Sequence, residues 1–127
     1  MSDFKVLFVD DEKNLLKSFV RMFLNEPIQI YTAESGSEAL DLISTKDMDL
    51  IVTDIKMPEM HGLELIEKIR EKNAEIPVIV YSAFSGMKED HIIKTHKIKA
   101  YYTKPDDYEL LCQKIKEIAS LNPVGVQ

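Results

Sequence analysis

The hydrophobic positions of this chain switch between two periods, short apolar runs and helical stripes, and the pair recurs five times. Phe4–Val9 is a nearly continuous apolar run, the pattern of a parallel strand covered on both faces. From Lys13 to Asn25, Leu15, Leu16, Phe19, Val20 and Phe23 return at three- and four-residue spacing, which predicts an amphipathic helix. Pro27 follows, Ile28–Thr32 predicts a second strand, and Ser35 predicts the N-cap of a helix burying Ala39, Leu40 and Ile43. Asp49–Thr53 reads as the third strand and Gly62–Lys72 as the third helix, with Leu63, Ile66 and Ile69 or Leu65 toward the sheet. Pro77 opens a fourth strand, Val78–Ser82, and a weaker helix covers about Met87–His96. Lys99–Thr103 is the fifth strand, and a last helix from Asp107 to about Leu121 aligns Leu111, Ile115, Ile118 and Ala119 on one stripe. Alternation of this kind predicts an α/β fold: a doubly wound, five-stranded parallel sheet with helices on both faces. The right-handedness of crossovers leaves the strand order open.

Polar residues stand just past four of the five apolar runs. Asp10-Asp11 follows the first, Asp54 the third, Ser82 closes the fourth and Lys104 follows the fifth. In an open doubly wound sheet, ligands bind outside the carboxyl ends of the strands, beside the point where strand order reverses. Three carboxylates, a hydroxyl and an ammonium therefore point into one crevice, the makings of a divalent-metal and phosphoryl site. Crowded carboxylates resist ionising together unless a cation joins them. Mg²⁺ suits such a site because it is held by one or two carboxylates and keeps waters and phosphate oxygens in its octahedron; Mn²⁺ is an acceptable substitute.

Composition narrows the rest. A chain of 127 residues suits one domain, predicted over residues 1–121, with the turn-rich residues 122–127 as a short tail or the start of a linker. Sixteen basic against 22 acidic residues give a net charge of −6, and without a dense Lys/Arg cluster direct nucleic-acid binding is not expected. Cys112 is the single cysteine, which excludes an intrachain disulfide and a cysteine metal cluster; it reads as a small buried thiol. The start lacks the charged and apolar regions of a signal peptide, and no apolar run approaches a membrane span, so no membrane association and a cytoplasmic location are expected.

Asp10-Asp11-Glu12, the stretch Asp54-Ile55-Lys56-Met57-Pro58 with Gly62 beyond it, Ser82-Ala83 and Lys104-Pro105 together resemble the signature of response-regulator receiver domains, the CheY-like domains of two-component signalling. The resemblance runs from about Phe4 to Leu121 and implies a flavodoxin-like sheet of order 2-1-3-4-5. It also implies that Asp54 accepts a phosphoryl group from a histidine kinase or a histidine phosphotransfer protein. Asp11 and Asp54 would be direct Mg²⁺ ligands, the Lys56 backbone carbonyl a third, and Asp10 a ligand through water. Lys104 and Ser82 would contact phosphoryl oxygens, with the Lys104-Pro105 peptide bond cis. Tyr101 would be the aromatic that turns inward when the Ser82 hydroxyl moves, although a slip of one residue would exchange it with Tyr102. Lys56 and Phe84 would govern how readily water reaches the phosphoryl group. Met57, Pro58 and Gly62 read as structural, Gly62 allowing the turn into the third helix, while His91 and His96 are expected on the surface.

Such a protein is a self-phosphorylating and self-dephosphorylating switch rather than a turnover enzyme, and its output face would be the fourth helix, fifth strand and fifth helix. Three rival classes fit the same residues less well. A flavodoxin-type electron carrier needs a hydroxyl- and glycine-rich first loop, where this chain has Asp10-Asp11-Glu12. A haloacid-dehalogenase-type phosphohydrolase needs a second aspartate two residues after the nucleophile, where this chain has Lys56. A non-phosphorylated, receiver-like interaction module would require loss of a site residue, and none is lost.

Overall fold

Apolar runs that the sequence leaves nearly uninterrupted become the buried centre of a sheet in the computed structural model, which describes residues 3–83 and 89–121. Strand β1 (Phe4–Val9) pairs in parallel with β2 (Ile28–Ala33) on one side and with β3 (Leu50–Thr53) on the other. Beyond β3 lie β4 (Val78–Ser82) and β5 (Ala100–Thr103), also parallel, so the order is β2-β1-β3-β4-β5. Every residue of β3 and β4 is buried, whereas the edge strands β2 and β5 are only partly covered. The expected doubly wound architecture and strand order are therefore present, and the order reverses between β1 and β3.

Side chains alternate between the two faces of the sheet, and each face has its own helical cover. Phe4, Val6 and Phe8 of β1 pack with Leu16 and Phe19 of α1 (Lys13–Met22) and with Leu111, Cys112, Ile115 and Ile118 of α5 (Tyr108–Leu121). Leu7 and Val9 point the other way. They join Ala39 of α2 (Gly36–Thr45), Leu65, Ile66 and Ile69 of α3 (Gly62–Lys72) and Ile92 of α4 (Glu89–His96). Cys112 is buried with a free thiol.

The ends of the elements follow local chemistry. The Ser35 hydroxyl accepts from the Glu38 N–H at 3.1 Å, capping α2 as its sequence implies. Helix α1 stops at Met22, short of the predicted Asn25. Phe23, Leu24 and Glu26 donate instead to carbonyls three residues back. Pro27 disfavours helical backbone at the residue before it, and tightened turns satisfy the last carbonyls. Phe23 stays in the core although it has left the helix. Leu63, Leu40 and Ile43 are only partly buried; on α3 the innermost positions are Leu65, Ile66 and Ile69.

His96 departs from expectation. Its side chain is only 13% exposed and stands 3.6 Å from Glu67 of α3, whereas His91 is exposed. The physical reason is helical spacing: His96 lies four residues after Ile92, which is fully buried, so both occupy the inward face of α4. Arg70 of α3 fastens the same region by donating to the carbonyls of Ile76 at 2.6 Å and Lys97 at 2.9 Å.

Candidate functional site

The register of the sheet delivers the site. Val9 pairs with Thr53, so the next residues, Asp10 and Asp54, leave neighbouring strand ends side by side at the point where strand order reverses. Each is fixed by backbone bonds. Asp10 donates its N–H to Ala33 at 3.0 Å and accepts from the Glu12 N–H at 2.9 Å. Asp54 donates its N–H to Val9 at 3.1 Å, and its Oδ1 accepts from the Ile55 N–H at 2.7 Å. From the far side, the Lys104 N–H bonds the Ser82 carbonyl at 3.0 Å, and the Lys104–Pro105 peptide bond is cis. The Lys104 Nζ then donates to Asp10 Oδ2 at 2.7 Å, Glu12 Oε1 at 2.8 Å and Asp54 Oδ2 at 3.0 Å.

Burial sharpens the electrostatics of this group. Asp10 is fully buried and Asp54 nearly so. Loss of solvent pushes the Asp10 carboxyl above the usual carboxylate range, against the pull of the Lys104 hydrogen bond and the Glu12 N–H. Burial works to lower the Lys104 ammonium, but its bonds to Asp10 and Glu12 and the charges of Asp54 and Asp10 outweigh this, and its pKa ends well above the ordinary lysine value. The ammonium is a permanent cation at neutral pH. It balances only part of the charge, because Asp10, Glu12 and Asp54 present ligand oxygens all within 4.8 Å of one another. Hard oxygen donors carrying excess negative charge fit a hard divalent cation, and the lysine already holds part of that role.

The loop after Asp54 owes its shape to two tight features. Gly62 lies against the strand end: a Cβ there would fall 1.9 Å from the Asp54 carbonyl oxygen and 2.8 Å from the Ile55 Cα. Its N–H donates to the Ile55 carbonyl at 2.6 Å. Close approach of backbone to backbone is thus the reason for glycine, rather than a special turn conformation. Between them, the Met60 N–H bonds the Pro58 carbonyl at 2.7 Å around Glu59, whose φ is +68°. A three-residue turn with positive φ at a side-chain-bearing residue is rare and strained. His61 caps α3, its Nδ1 accepting from the Leu63 N–H at 3.4 Å.

The other predicted residues distribute as follows. Ser82 is buried at the end of β4. Tyr101 is buried in the core on the α2–α3–α4 side, while Tyr102 packs on the α1–α5 side, which separates the two tyrosines that sequence alone leaves interchangeable. Lys56 is exposed two residues past Asp54. Phe84 lies outside the described residues. Asp11 is exposed and does not belong to the close group of carboxylate oxygens. Glu12 does belong to it, a participant that the run Asp10-Asp11-Glu12 contains but that sequence reasoning passes over. No local sequence pattern marks it; in the structure Glu12 stands at the N-cap of α1 with no side-chain capping bond.

Residues 6–116 match the sequence profile described as the response regulator receiver domain. The chain is 33% identical over 123 residues to the sensor histidine kinase TmoS of Ectopseudomonas mendocina, covering 95% of this chain and 12% of that protein. It is 31% identical over 112 residues to the transcriptional regulatory protein GlrR of Escherichia coli K12, covering 88% of this chain and 25% of that protein. The chain thus spans a minor part of the length of these curated relatives. Among solved structures, the response regulator TrrA of Thermotoga maritima, in complex with Mg²⁺ and BeF, superposes with a TM-score of 0.78 at 31% identity, over 93% of this chain and 99% of that one. Among the described residues no helix is long and apolar enough to cross a membrane. With the sheet order, the strand-end carboxylates and the matched profile agreeing, the chain belongs to the response regulator receiver domains.

Proposed function

We propose that this domain accepts a phosphoryl group on Asp54 from a phosphohistidine donor, a histidine kinase or a histidine phosphotransfer protein, and uses the modification as a switch. One observation carries the reading: Asp54 meets the Lys104 ammonium at 3.0 Å beside the buried Asp10, at the strand ends where order reverses. Asp54 Oδ2 forms the new O–P bond while the donor's P–N bond breaks. There is little covalent work for the protein beyond this; it positions the nucleophile and neutralises charge that spreads over the phosphoryl oxygens. The Ile55 N–H holds Asp54 Oδ1, which leaves Oδ2 as the attacking oxygen. Lys104 supplies a fixed positive charge, and Ser82 supplies a hydroxyl for a phosphoryl oxygen. When bound, Mg²⁺ would be held by Asp11, Asp54 and the Lys56 carbonyl, with Asp10 reaching it through water, and would supply the remaining neutralisation. Lys56 and Phe84 set how readily water reaches the product. A donor charged from ATP places the chemistry in the cytoplasm, and the domain is a switch rather than a turnover enzyme.

A phosphoryl group adds about −1.5 to −2 charges and three acceptor oxygens at one point. Movement of Ser82 toward it vacates space beside Tyr101, and the face of α4, β5 and α5, carrying Ile93, Tyr102 and Tyr108, repacks as the output surface. The relatives support both ends of this pathway, since one is a sensor histidine kinase and another a transcriptional regulatory protein. The test is intact mass after incubation with acetyl phosphate and Mg²⁺. The wild type should gain one phosphate and Asp54→Asn none; an adduct of equal yield on the variant overturns the assignment.

A further inference from the structure

An ammonium group has three N–H donors, and in this structure all three of Lys104 are engaged, by Asp10, Glu12 and Asp54. The three acceptors are not equivalent. Asp10 is fully buried and Asp54 nearly so, and backbone N–H groups hold both carboxylates. Both keep their Oδ1 on backbone N–H groups and their Oδ2 on Lys104, away from solvent. The Glu12 side chain is 60% exposed, and no other hydrogen bond holds its carboxylate among the described residues. The N–H given to Asp54 Oδ2 comes free only as the O–P bond forms; before that step, the donor that Lys104 can turn most readily toward an incoming phosphoryl oxygen is the one given to the exposed Glu12.

We propose that Glu12 is a displaceable anionic latch on Lys104, occupying the N–H that the phosphoryl group requires and thereby slowing its arrival. The inference rests on the phosphoacceptor reading of Asp54 and adds a positioning residue that acts through Lys104. Displacement of Glu12 by an incoming phosphoryl oxygen exchanges one charge-assisted hydrogen bond for another, so no cation is left unpaired. The released carboxylate passes into solvent at the N-cap of α1, where its backbone carbonyl continues to accept from Leu15 and Leu16. After transfer the same carboxylate competes to return, which shortens the residence of Lys104 on the phosphoryl group.

The test compares initial phosphorylation rates by acetyl phosphate in wild type, Glu12→Ala and Glu12→Asp. Removing the latch should raise the rate by about two- to fivefold, the scale of a partly exposed ion pair. Glu12→Asp separates a latch from simple repulsion of the donor. It keeps the charge, but the shorter chain cannot span to Lys104, and aspartate at an N-cap prefers the first-turn N–H groups. A latch makes Glu12→Asp as fast as Glu12→Ala; a Glu12→Asp rate equal to wild type, or an unchanged Glu12→Ala rate, overturns it. A second readout needs no phosphoryl chemistry: in metal-free protein, the ¹⁵N-labelled Lys104 ammonium should exchange its protons with water faster in both variants. Equal exchange in all three proteins also overturns the latch. If the wild type takes no phosphate at all, the phosphoacceptor reading has failed instead, and the ammonium exchange still reports on whether Glu12 holds Lys104.

Discussion

Gly62→Ala should be far more damaging than its size suggests, because the added methyl meets backbone on the strand that carries Asp54. The new Cβ would sit 1.9 Å from the Asp54 carbonyl oxygen and 2.8 Å from the Ile55 Cα. That is roughly 1.4 Å inside the separation at which even weak C–H···O contacts form. Neither neighbour is a movable side chain, so the start of α3 must retreat and the bond from Gly62 N–H to the Ile55 carbonyl must stretch or break. Overpacking costs about 1–3 kcal/mol. The lost hydrogen bond adds about 0.5–1.5 kcal/mol, for a total on the order of 2–4 kcal/mol. For a domain of this length that lowers Tm by on the order of 10 °C. Gly36→Ala is the control. Its Cβ meets the Met60 side chain, nearest the sulfur at 2.6 Å, and a thioether can swing aside. Gly36 is the first residue of α2, where alanine is tolerated, and its clash is with a side chain rather than backbone, so that variant should lose no more than about 1 kcal/mol. Thermal and urea melts of the three proteins decide the matter. A Gly62→Ala protein melting within about 2 °C of wild type, or a Gly36→Ala protein falling as far as Gly62→Ala, would refute the close-approach argument.

Further outcomes follow from the same geometry. The raised pKa of Lys104 stabilises the fold fully below the ordinary lysine value of 10.5 and is lost as pH rises past it, because the unfolded chain gives up the proton first. Urea midpoints should therefore fall across that range more steeply in wild type than in Lys104→Met, and identical slopes would remove the site's share. The raised pKa of Tyr108, pushed up mainly by burial, contributes with the same sign and survives in the variant. Mg²⁺ at about 100-fold above its dissociation constant should add about 2.7 kcal/mol of stability in a melt, and Asp11→Asn should lose most of that gain; a wild type indifferent to Mg²⁺ contradicts the metal reading. Beryllofluoride with Mg²⁺ should shift amide resonances of α4, β5 and the start of α5, and shifts confined to the loops at Asp11, Asp54 and Lys104 would rule out coupling through Ser82 and Tyr101.

The parts of the fold that were legible in the sequence are those decided by local pattern. Uninterrupted apolar runs marked β1, β3 and β4 because those strands are covered on both faces, and Ser35 marked the start of α2 by its own cap. Asp10, Asp54 and Lys104 were legible because parallel strands send their next residues to one edge. Side-chain contacts across long stretches of chain were not. The bond from Lys104 to Glu12 joins residues 92 positions apart, and nothing in either local pattern announces it. The strand-side environment of Gly62 is hidden for the same reason. The burial of His96 was in reach, four residues after Ile92, but α4 is too short for its stripe to show which side faces in. The exposure of Asp11 reflects which way a loop side chain turns, and residue type alone does not fix that.

The most direct test of the phosphoacceptor reading is chemical trapping. After incubation with acetyl phosphate and Mg²⁺, borohydride reduces an aspartyl phosphate to homoserine, and peptide mass spectrometry locates the changed residue. Homoserine at position 54, and at neither 10 nor 11, is the expected result. A reduced residue elsewhere, or an acid-stable phosphate on Ser82 with Asp54 unchanged, would contradict it.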